Sequence, residues 1–153
     1  MTFDDLLNGV GQAIGVPLQN TEGACAIGVD DMQITLQYLE EVGQVSTFGE
    51  IGEPPPQGLE QLLSAMLNAN HLFMGTGGST ISRDPESGKF FLCRYDSLAL
   101  ISVEDFVGII EKFVNVLETW RRLVDDYRPV ESSAQETLPA GSKFPGDDGF
   151  LAV

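Results

Sequence analysis

The sequence predicts an α+β domain in which helices flank an antiparallel twisted sheet, in the order α-βββ-α-ββ-α. Two observations carry that reading. Apolar residues recur at the helical period in three separate stretches, and between them lie five short segments with strand patterning, bounded by Gly, Pro, Asp and Asn. At 153 residues the chain is long enough for one domain with a sizeable core and too short for two ordinary ones. Residues 1–128 are read as that domain, and 129–153, rich in Pro, Ser, Gly and acid, as a flexible tail.

The first helix runs from Thr2 to about Gly15. Phe3, Leu6, Leu7, Val10, Ala13 and Ile14 fall on one stripe, Thr2 and Asp5 form a capping pair, and Gly15 with Pro17 supplies the stop. Strands follow at Ala24 to Val29, at Met32 to Tyr38 and, more weakly patterned, at Gln44 to Ile51. The second of these sets Met32, Ile34, Leu36 and Tyr38 on one face against Gln33, Thr35 and Gln37, the mark of a half-buried strand. Three consecutive prolines, 54–56, end the third strand because they cannot donate to a ladder. A leucine-rich helix then spans about Leu59 to Leu72, and Gly75-Thr-Gly-Gly78 makes a turn. Thr80 to Arg83 and Lys89 to Tyr95 form a hairpin around Asp84-Pro-Glu-Ser-Gly88. The last helix starts at Ser102, with Asp105 three residues on, and continues to about Tyr127. Its apolar positions cover more than one face, so it packs against the sheet on one side and something else on the other.

Composition excludes several functions. Eight Lys and Arg against 23 Asp and Glu leave a net charge of −15, and no cation occurs before Arg83. Nucleic-acid binding is therefore not expected, since affinity for phosphate backbones comes from clustered cations. The first residues lack a basic region and a long apolar run, so neither a secretory signal nor a membrane span is expected, and the compartment is read as the cytoplasm. Cys25 and Cys93 lie far apart, and the single His71 cannot complete a zinc set with them. No metal and no cofactor is expected, and both cysteines are read as small core residues.

No catalytic residue emerges either. Gly9-Val-Gly11 with Gly15 sits inside a helix with no strand before it and with the wrong spacing for a dinucleotide loop. Gly75 to Ser79 leads from helix to strand and lacks the P-loop lysine, so it reads as a turn. His71 ends a helix, where an imidazole can meet the last carbonyls, and no nucleophile or orienting acid can be tied to it. Asp30-Asp31 and Glu40-Glu41 fall at strand ends as solvated turn residues. What the chain offers instead is apolar surface: three such helices on one small sheet leave faces that a partner or a second copy would cover.

The stretch Leu59-Glu-Gln-Leu-Leu-Ser-Ala-Met-Leu-Asn-Ala-Asn70, the turn and hairpin from Thr76-Gly-Gly-Ser to Asp84-Pro-Glu-Ser-Gly88, and Phe113-Val-Asn-Val-Leu-Glu-Thr-Trp120 occur in this order within an acidic chain. Together they resemble the class I type III secretion chaperones of the Tir chaperone (CesT) family, over about residues 2–127. The resemblance implies a bacterial cytoplasmic protein without enzymatic activity, acting as a homodimer. It would bind the N-terminal region of a secreted effector protein and keep it extended and secretion-competent. It implies a dimer interface on the second helix and the strand beside it, which points to Leu62, Leu63, Met66, Leu67 and Ile81. Effector segments would lie on the first helix and the sheet, or add a strand to a sheet edge. Phe3, Leu6, Leu7, Val10, Ile34, Leu36 and Phe48 are the candidates there, chosen by pattern. The triple proline and the tail depart from the family. An adaptor for a folded partner, or a small hydrolase using the acidic turns, are the alternative readings.

Overall fold

The structure, a computed structural model, describes residues 1–130; from Glu131 on, the tail read from the sequence lies outside the described residues. The elements are α1 (Phe3–Ile14), β1 (Ala24–Val29), β2 (Met32–Leu39), β3 (Gln44–Gly52), α2 (Leu59–Asn70), β4 (Thr80–Arg83), β5 (Phe90–Ser97) and α3 (Val103–Asp125). This is the predicted α-βββ-α-ββ-α order. Short 3-10 turns add Glu40–Val42 between β2 and β3, and His71–Phe73 after α2.

The five strands form one antiparallel sheet in the order β1-β2-β3-β5-β4. Since side chains alternate across a strand, the register sorts every residue onto one of two faces. Ile27, Ile34, Gly49, Leu92 and Ile81 line up across all five strands on the first face. All three helices cover that face. Gly49 is where α3 comes closest: a Cβ there would stand 2.5 Å from Leu117 Cδ2. The core lies in between, with Leu6, Val10, Ile34, Leu36, Leu92, Phe106, Phe113, Leu117 and Trp120 all buried.

The helices carry their signals as read. Thr2 Oγ1 accepts from the Asp5 N–H at 3.1 Å, and the Asp5 carboxylate accepts from the Thr2 N–H at 2.8 Å, so the capping box is complete. Those bonds also hold the Asp5 carboxyl below the usual carboxylate range. Ser102 caps α3 by accepting from the Asp105 N–H at 3.0 Å. The second side of α3 meets α1, where Gly9 leaves room for Val103.

Some details differ from the sequence reading. Ile14 and Ala13 end the α1 stripe on the exposed side, beside the left-handed Gly15 that closes the helix. α2 stops at Asn70, and Leu72 and Phe73 turn left-handed with φ of 53° and 57°. Cys93 is only partly buried, since its place in the register puts it on the face opposite the helices.

Candidate functional site

Two surfaces stand out. The first is the face of the sheet away from the helices. On it Ala26, Thr35, Phe48, Cys93 and Thr80 align across the five strands. Phe91 and Tyr95 lie two residues to either side of Cys93, so their rings flank Phe48 diagonally, within reach for aromatic side chains. Phe48 and Phe91 are half-buried, and Tyr95 is 59% exposed. Acid and amide side chains border them: Glu50 stands opposite Phe91, and Gln33 and Gln37 project from β2. The Cys93 thiol lies 3.4 Å from Ser82 Oγ, and burial pushes its pKa up. That makes it a sluggish nucleophile.

The free edge beside this face belongs to β1. The outward N–H and C=O of Ala24 pair with Thr21 at 3.0 and 2.8 Å. The period of two then turns the backbone groups of Ala26 and Gly28 outward as well, and both residues are exposed.

The second surface surrounds the end of α2. Leu67 is 69% exposed, and Leu72, Phe73 and Met74 follow at 67%, 49% and 40%. Two successive non-glycine residues in the left-handed region cost about 1–3 kcal/mol each. Here that conformation presents apolar side chains to the outside. The neighbouring turn is fixed from within, where Trp120 Nε1 donates to the Gly75 carbonyl at 2.9 Å. Close by on the helix side of β5, Arg94 makes a two-pronged salt bridge to Asp96 at 2.6 and 2.7 Å, largely buried.

The structure distributes the sequence candidates unevenly. Of the effector-binding set, Phe3, Leu6, Leu7, Val10, Ile34 and Leu36 are each at most 4% exposed, so they build the core beneath the surface. Phe48 alone of the seven reaches the open face. Of the dimer set, Leu62, Met66 and Ile81 are buried within the subunit, Leu63 is half-buried and Leu67 is exposed. Sequence reasoning missed Phe91, Tyr95, Leu72, Phe73 and Met74. Alternation along Phe90–Ser97 could have found the first two, had Phe90 and Leu92 been assigned to the core face.

Chemistry has little to work with. A groove of about 660 Å³ beside the triple proline is lined by five acids (Asp31, Glu50, Glu53, Glu118 and Asp125) and by Arg121, Arg122 and Arg128. Its charges answer each other: Arg122 pairs with Glu118 at 2.6 Å and Arg121 approaches Asp31 at 3.5 Å. Asp84 sits in the hairpin loop, its carboxyl held below the usual range first by the Ser87 hydroxyl and then by the Glu86 N–H. His71 is exposed at the end of α2, so it belongs to the helix end and not to the core. Among the described residues no group of three or more His, Cys, Asp and Glu could hold a metal ion, and no helix is long and apolar enough to cross a membrane.

Solved structures of other proteins share this fold. The chain is similar to a chain of the HopA1-SchA chaperone-effector complex, with a TM-score of 0.65 and 19% identity over 78% of this chain and 93% of the other. It is similar to a chain of the ExsC-ExsE complex at a TM-score of 0.66 and 21% identity, over 79% and 92%. A chain of the ExoU-SpcU complex from the type III secretion system of Pseudomonas aeruginosa matches at 0.59 and 19%, over 81% and 96%. No curated protein sequence matched. Residues 5–121, well over half of the sequence, match the family described as Tir chaperone protein (CesT), and the chain belongs to that family.

Proposed function

We propose that this protein is a type III secretion chaperone: a non-enzymatic, cytoplasmic homodimer that binds the N-terminal region of a secreted effector in extended form and keeps it competent for export. Family membership carries the reading. The surfaces give it a mechanism. One stretch of an extended client can pair its backbone with Ala26 and Gly28 at the β1 edge, while another stretch crosses the open face to lay apolar side chains against Phe48 on β3 and Phe91 and Tyr95 on β5. Neither contact needs covalent or nucleotide-driven chemistry, so release requires only that several modest interactions be broken together. The net charge of −15 disfavours unspecific association and favours clients with a basic segment. Leu63 and Leu67, together with Leu72 and Phe73, form the face for a second copy. Phe3, Leu6, Leu7, Val10, Ile34 and Leu36 serve the client from below, as the packed layer that holds the open face in shape.

The test is photo-crosslinking in the native host with a reactive residue at position 48 or 95. Crosslinked peptides should map to the N-terminal region of one or a few exported proteins. Phe48→Ala should then weaken binding of that segment by about 1–3 kcal/mol with the fold unchanged. Crosslinks to a partner that keeps its compact tertiary structure would replace this reading with the adaptor one.

A further inference from the structure

The sheet has two edges, and they end differently. We propose that Asn70 is the residue that decides which of them accepts an added strand: its side chain closes the β4 edge and leaves β1 as the open one. The inference deepens the strand-addition reading above and rests on it for the client, whereas closure of the β4 edge is testable on this protein alone.

β4 is four residues long and pairs with β5 on one side only. In an antiparallel pair alternate residues turn their backbone groups toward the partner and away from it. The Asp84 N–H donates inward to the Lys89 carbonyl at 2.9 Å, which sets the parity: Thr80 and Ser82 also face β5, and Ile81 and Arg83 face out. An outward N–H and C=O on the same residue are what an incoming strand would pair with.

At Ile81 both are already taken. The Ile81 N–H donates to Asn70 Oδ1 at 2.8 Å, and the Ile81 carbonyl accepts from Asn70 Nδ2 at 3.1 Å. A primary amide offers the same donor and acceptor as a peptide group, so Asn70 occupies the place of one residue of a neighbouring strand. Its position is firm. Asn70 is the last residue of α2, anchored by the buried Leu62, Ala65, Met66 and Ala69. Arg83, the other outward residue, carries an exposed cation whose Nε donates back to the Gly88 carbonyl at 3.2 Å. Charge at an edge strand opposes pairing with another sheet.

β1 has no such plug beyond its first residue. Thr21 covers Ala24, and the backbone groups of Ala26 and Gly28 have no backbone partner on their outer side among the described residues. Their side chains are small, and the Ala26 carbonyl has only the weak Cys25 thiol contact at 3.8 Å for an added strand to displace. Asn70 therefore acts as a specificity-determining residue by excluding the wrong edge.

The experiment uses the full chain and compares its mass with that of Asn70→Ala by light scattering across micromolar concentrations, alongside hydrogen exchange at Ile81. The variant should fold, exchange the Ile81 amide about tenfold faster or more, and grow into species larger than the wild type at equal concentration. Adding Arg83→Pro should reverse the growth. Proline there removes an outward N–H without cutting a β4–β5 bond. If Asn70→Ala fails to fold, the near-isosteric Asn70→Leu, which is uncharged and can pair with neither the N–H nor the carbonyl of Ile81, is measured in its place. A folded variant with wild-type mass at every concentration overturns the proposal, as does growth that persists in the Arg83→Pro background. Failure of client binding at β1 with edge closure intact would count against strand addition at β1 and not against closure of the β4 edge by Asn70.

Discussion

Gly49 shows how much one absent side chain can matter. It sits in the middle strand, facing α3, and a Cβ at this position would press within 2.5 Å of Leu117 Cδ2 and 3.4 Å of Ile34 Cγ2. Leu117 and Ile34 are fully buried, so neither can swing out to make room. Gly49→Ala should therefore destabilise the fold by about 1–3 kcal/mol through overpacking, measured by chemical denaturation. Coupling identifies the cause. In the Gly49→Ala background, Leu117→Ala should cost less than it does alone, because the clash and the cavity offset each other. Strictly additive costs would show that Gly49 is needed for some other reason. At this scale the sequence was partly legible: Thr2 with Asp5 and Ser102 with Asp105 announce their caps in four residues. Gly49 and Trp120 do not, since the Leu117 contact and the bond to Gly75 join positions brought together only by tertiary packing.

Among the elements, β1 carries the sharpest expectation. Its outer backbone groups belong to Ala26 and Gly28, and proline at an outward position removes no bond to β2. Ala26→Pro should leave the melting temperature close to that of the wild type, while weakening binding of the client segment at least as much as Phe48→Ala does. Equal binding by the wild type and the proline variant would exclude strand addition at this edge and leave the aromatic face as the sole contact. The elements themselves were legible in order and nearly in extent, because helix periodicity, caps and the Pro and Gly breaks are local. The client surface was not. Period-two alternation in β2 identifies a core face, yet which side of β5 faces the helices depends on register against β3. Phe91 and Tyr95 emerged only once that pairing was known. The pattern that marked Leu6, Leu7, Ile34 and Leu36 as apolar also marked them as core.

At the scale of the whole molecule, the apolar end of α2 asks for a second copy. Leu67, Leu72, Phe73 and Met74 are exposed together, and the left-handed backbone at Leu72 and Phe73 carries a conformational cost. Burying those side chains in a twofold interface would offset it, since each large apolar side chain removed from water contributes about 1.5–3 kcal/mol. The buried Leu62 and Met66 on the opposite side of α2 keep the helix on its own sheet, so substitution there would confuse folding with association. Leu67 is the cleaner probe, because its exposure means that the subunit does not depend on it. Light scattering on the wild type should give about twice 16.5 kDa at micromolar concentration. Leu67→Glu should give one subunit mass with the circular dichroism spectrum retained, since an unpaired charge in the centre of an apolar interface costs several kcal/mol. Glutamate at an exposed helical position costs the monomer little. A wild type that stays monomeric to its solubility limit would remove the dimer from the proposed mechanism. A Leu67→Glu protein that stays dimeric would move the interface to another face, and the open sheet around Phe48 would then be the first to examine.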